Sequence, residues 1–104
     1  MTSPNKAGPG LDLPFVGKRV RVLRQLRGLS PAAFINSITR ETGEQLIAAS
    51  TLRAIEAGKS IPTPGTALVI ATALGCTVAD LCDLEACDPA VRALLEAYKA
   101  GAAA

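Results

Sequence analysis

The residues able to do chemistry in this chain are its cations. Eleven lysines and arginines stand against nine acids, and there is no histidine. Nine of the bases lie in residues 1–60 beside four acids, a local net charge of +5; residues 61–104 carry two bases and five acids, a net of −3. Guanidinium and ammonium groups bind phosphates, guanine edges and carboxylates. A basic half beside an acidic half therefore suits a polyanion on one side and a protein contact on the other. Catalysis finds little to work with, because the chain has no histidine, no paired buried carboxylates and no nucleophile with a base nearby. Cys76, Cys82 and Cys87 are an odd number without a Cys-x-x-Cys pair, which indicates neither a disulfide framework nor a zinc site. The expectation is a protein that is not an enzyme and uses no metal and no cofactor.

The elements that must position these cations follow from length and pattern. A chain of 104 residues is one domain's worth. With 49% apolar but only 3% aromatic residues, its core must be aliphatic. Charged residues interrupt every apolar run before it could span a bilayer, and no signal pattern opens the chain. No membrane contact and a cytoplasmic location are the corresponding expectations. Residues 1–13, with Pro4, Gly8, Pro9 and Gly10, read as a disordered tail.

Helix signals then follow in series. A first helix is expected over Pro14–Arg27, stopped by Gly28, with Val16, Val20 and Leu23 inward. Val22 and Leu26 form a second stripe that needs a covering element. Ser30 and Pro31 open a second helix with a cap and a first-position proline, and Phe34 and Ile38 face inward. Leu52 and Ile55 share a face of a third, ended at Gly58. Thr63 and Pro64 start a fourth, which stops at Gly75. Thr77 and Asp80 form a capping box for a fifth. Asp88 and Pro89 start a sixth, amphipathic helix, whose Val91, Leu94, Leu95 and Tyr98 fold back onto Val22 and Leu26 or meet a second copy.

Three stretches, VGKRVRVLRQLRGLS at Val16–Ser30, STLRAIEAGKSIP at Ser50–Pro62 and ALGCTVADL at Ala73–Leu81, resemble the Xre family of λ-repressor-like helix-turn-helix domains. The resemblance implies an all-α, five-helix fold over residues 14–86. Relative to that family this chain has about seven additional residues near Thr39–Gln45, between helices two and three, and an additional C-terminal helix over residues 87–100. Gly43 either ends an extended second helix within the insertion, or Glu44 and Gln45 open a longer third one.

The same resemblance supplies roles. Helix three would lie in the major groove of double-stranded DNA, with Ala49, Ser50, Thr51, Arg53 and Ala54 at the base edges. Alanine offers at best a thymine-methyl contact, so readout would rest on Ser50, Thr51 and above all Arg53. Arg19, Arg24, Ser30, Arg40, Lys59, Ser60 and Thr63 would touch phosphates. Arg24 and Glu56 would form an ion pair joining helices one and three. The implied function is a dimeric, sequence-specific transcriptional regulator, a repressor by family, with Val91, Leu94, Leu95 and Tyr98 at the homodimer interface. The alanine-rich reading face supports a rival, a protein-interaction adaptor or antitoxin-like partner that kept the fold with little base readout.

Overall fold

The computed structural model describes Gly10 and residues 13–103, so the expected tail over residues 1–13 lies almost wholly outside the described residues. Five α-helices and two 3-10 turns follow one another, with no strands among the described residues. They are α1 (Gly17–Leu26), α2 (Pro31–Thr42), α3 (Ala49–Glu56), α4 (Pro64–Leu74), the turns Val78–Leu81 and Leu84–Ala86, and α5 (Pro89–Ala103).

Local chemistry sets most of these boundaries. The Ser30 hydroxyl accepts from the N–H of Ala33, the Thr63 hydroxyl accepts from that of Thr66, and a proline follows each cap. Gly43 and Gly75 close α2 and α4 at φ 81° and 74°, a conformation that carries a steric penalty for any residue with a Cβ. The insertion therefore resolves in favour of a lengthened α2, because Gly43 stops it and α3 does not begin until Ala49.

Two expectations change. The first helix starts at Gly17 instead of Pro14, because the chain before it is already hydrogen-bonded elsewhere. The Val16 N–H donates to Leu81 (2.7 Å) and the Asp83 N–H donates to Pro14 (2.8 Å), around an antiparallel bridge of Phe15 with Cys82. The fifth helix is only a 3-10 turn, although its Thr77–Asp80 capping box is complete in both directions. The helix expected as the sixth is thus α5.

The core is aliphatic apart from Phe34. Val20, Leu52 and Ile70 are fully buried, and Ile47 just after the insertion is buried with them. Each such side chain contributes roughly 1.5–3 kcal/mol of burial. α1 packs on α3 and α4, α2 packs on α3, and α5 packs chiefly on the two 3-10 turns. Val22 and Leu26 stay 44% and 77% exposed among the described residues.

Candidate nucleic-acid interface

The site is built on α3, and α1 sets where α3 sits. At their crossing a Cβ on Gly17 would lie 1.8 Å from the carbonyl oxygen of Ile55, so only glycine allows this approach. Two turns further along α1, Arg24 forks onto Glu56. Its Nε donates to Oε2 and one terminal nitrogen to Oε1, both at 2.8 Å, and the other terminal nitrogen donates to the Leu29 carbonyl at 2.7 Å. Both side chains are 7% exposed. The hydrogen bonds it donates to Glu56 hold the Arg24 guanidinium above its ordinary pKa, against the opposing pull of burial. Arg24 therefore fixes α3 and the start of α2 together. Its place among the phosphate contacts does not survive, since its nitrogens are spent internally and almost none of it reaches solvent.

Arg19 is exposed and also makes contacts within the fold. It sits on the side of α1 opposite Gly17 and Arg24, and one of its terminal nitrogens donates to the carbonyls of Asp80 (3.2 Å) and Cys82. Those carbonyls end the Val78–Leu81 turn, where a cation is favoured. Arg27, which carried no expected role, makes the corresponding contact with the Leu74 carbonyl at the end of α4.

What α3 presents outward is small. Ser50, Thr51 and Arg53 are exposed, while Ala49 and Ala54 are half-buried. Glu56 is occupied by Arg24, so the guanidinium of Arg53 has no partner among the described residues. An unpaired arginine on a helix anchored at its C-terminal end is suited to a bidentate acceptor such as a guanine edge. Lys59 and Ser60 follow in the exposed turn, whose helical end is tied by the Lys59 N–H to Ala54 (2.9 Å).

The starts of α2 and α4 share one design. The first residue is proline and lacks an N–H, and the third N–H is taken by the capping hydroxyl. The second-position N–H groups, those of Ala32 and Gly65, remain as donors with the helix dipole behind them. Ser30 and Thr63 thus act first as caps. Arg40, in the last turn of α2, is exposed and has no ion-pair partner among the described residues, as is the case for Lys18 and Arg21 on α1. Gly17 and Arg21 escaped the sequence reading. Gly17 had left a signal, being a glycine three residues before the inward Val20 on the helix's own inner stripe.

Two of the three cysteines, Cys76 and Cys82, sit in surroundings that favour the thiol. Burial, with Asp80 nearby, pushes the Cys76 thiol up, and burial does the same to Cys82. Both therefore remain protonated at neutral pH and behave as small apolar groups. Among the described residues no cluster of potential ligands could hold a metal ion, and no helix is long and apolar enough to cross a membrane.

The comparisons with known proteins bear on this geometry at one point. A family model described as helix-turn-helix matches residues 20–81, which run from α1 through the Val78–Leu81 turn. No curated protein and no solved structure matches the chain.

Proposed function

The chain belongs to the helix-turn-helix family of the Cro and phage-repressor type, DNA-binding regulators, and we propose that it acts as a dimeric, sequence-specific repressor on a two-part operator in duplex DNA. The observation that carries this reading is the bracing of α3. Gly17 and the Arg24–Glu56 fork anchor the C-terminal end of that helix to α1, while Arg53, exposed on its outer face, has no partner among the described residues. In this arrangement Arg53 grips a guanine, with Ser50 and Thr51 beside it and Ala49 and Ala54 passing close to thymine methyls. Lys59, Ser60 and Arg40, with the N–H groups at the starts of α2 and α4, hold the flanking phosphates. One good arginine–guanine pair discriminates by about 1–3 kcal/mol, so specificity here is modest per half-site and two copies are needed to make a useful address.

Selection from a pool of random duplexes, followed by footprinting of the winners, tests the proposal. The expected result is an inverted repeat whose half-sites each contain a guanine that becomes dispensable in Arg53→Ala. Uniform, sequence-independent retention of the pool would limit the protein to phosphate binding. Absence of any retained duplex at low salt would favour the adaptor reading, in which the alanine-rich face serves a protein partner.

A further inference from the structure

The apolar stripe expected at the dimer interface is split on the folded chain, with Leu94 and Tyr98 exposed and Val91 and Leu95 half-buried. The exposed side chains of Leu46 and Leu68 are placed differently, because both line one cavity of about 460 Å³. α2 packs closest on α3, and α4 on α1 and the Val78–Leu81 turn, and the cavity lies between α2 and α4. The lengthened end of α2 supplies Glu41 and Thr42, the chain just after it supplies Leu46, and α4 supplies Leu68 and Thr72. Ile38, buried in the core, forms the floor. The volume falls in the range of small-molecule sites, roughly 300–1,000 Å³.

The charges of this cavity do not cancel one another. Arg27 and Glu41 both line it, yet they form no ion pair. One terminal nitrogen of Arg27 donates to the Leu74 carbonyl, which positions the guanidinium, and its other nitrogens have no partner among the described residues. Glu41 has none either, and neither do the hydroxyls of Ser37 and Thr72 that line the same cavity. The Thr42 hydroxyl, by contrast, is already spent on the Ile38 carbonyl at 2.9 Å. One small volume therefore holds an available cation, an available anion, two hydroxyls and an aliphatic floor. A simple anion would be repelled by Glu41 and a simple cation by Arg27, so the lining selects a molecule carrying both charges.

We infer that this cavity binds a free amino acid with an aliphatic side chain. Its carboxylate meets Arg27, its ammonium group meets Glu41, and its side chain lies against Ile38, Leu46 and Leu68. Ser37 and Thr72 satisfy the remaining polar atoms. The site goes beyond the duplex-binding reading and does not depend on it, since none of Ser50, Thr51, Arg53 and Lys59 lines the cavity.

Calorimetric titration of the full chain tests the inference with leucine and three analogues. Leucinamide lacks the carboxylate, N-acetylleucine lacks the cation and glycine lacks the side chain. Leucine should bind saturably, one per chain, and at least ~10-fold tighter than each analogue. Glu41→Gln changes an exposed side chain and should melt like the parent. It should weaken leucine at least ~10-fold while leaving N-acetylleucine unchanged, a difference that a merely structural role for Glu41 would not produce. Arg27 is left intact because it also holds the end of α4. Absence of saturable leucine binding, leucinamide binding as tightly as leucine, or an unaltered leucine affinity in Glu41→Gln would each overturn the inference. Self-association of the parent that Leu68→Asp abolishes and leucine does not weaken would give the cavity to a second copy and overturn it as well.

Discussion

The backbone of α1 at Gly17 touches the backbone of α3 at Ile55 so closely that a single added carbon would sit 1.8 Å from the Ile55 carbonyl oxygen. No rotamer relieves such a clash, because both partners are main chain.

Gly17→Ala should therefore force α1 away from α3 and cost about 3 kcal/mol or more, near the upper end of overpacking effects. Gly65→Ala is the control. Its added Cβ would meet nothing within 4 Å, so removing glycine's freedom in the unfolded chain should stabilise by roughly 0.4–1 kcal/mol. Urea melts of the two variants check the contrast, and equal effects would mean the helices do not cross at Gly17.

Arg24→Ala would leave the Glu56 carboxylate with 7% exposure and no cation, a loss of roughly 3–5 kcal/mol. Glu56→Gln keeps an acceptor for the fork and should lose less. Both variants should lose duplex affinity beyond what unfolding explains, since the angle of α3 changes. Melting midpoints read beside binding at a temperature where each variant is folded make the comparison, and an unchanged midpoint in Arg24→Ala would place the pair in solvent.

Lys59→Ala and Arg53→Ala should fail differently. Losing Lys59 should weaken every duplex alike and lower the slope of log affinity against log salt by about 0.9. Losing Arg53 should flatten preference between sequences by about 1–3 kcal/mol at one base position. Titrations at several salt concentrations against preferred and scrambled duplexes distinguish them.

The raised thiols of Cys76 and Cys82 fix the sign of an alkaline effect. Below the ordinary thiol pKa of about 8.5, folded and unfolded chains hold the same protons and no stability is lost. Above it the unfolded chain releases thiol protons that the folded chain keeps, so stability falls as pH rises. Thermal melts between neutral pH and moderately alkaline conditions should show a smaller alkaline loss in Cys82→Ala than in the parent, apart from that variant's own packing cost.

How much of this was legible in the sequence depended on how local each cause was. Ser30, Pro31, Thr63 and Pro64 announced their helices because a cap and its recipient N–H lie three residues apart. Gly43 announced the end of α2 by its own backbone geometry. The start of α1 was misplaced because Val16 gives its N–H to Leu81, a partner no local window contains. Arg19 and Arg24 looked alike as cations on one amphipathic helix. Only the fold shows one holding carbonyls behind α1 and the other sunk between α1 and α3. The stripe on α5 was recognised as apolar, but which half faces inward depended on the two turns it leans against.

The clasp formed by Pro14–Val16 with Leu81–Asp83 has a consequence for how such a chain can change over generations. It brings the entrance and exit of the α1–α4 body to one spot, so whatever precedes residue 14 and whatever follows residue 83 leaves from neighbouring points on the surface. Appendages joined there can be lengthened, shortened or exchanged without rethreading the body. α5 is one such appendage, and it follows the clasp in the chain whereas α3 lies within the body the clasp closes.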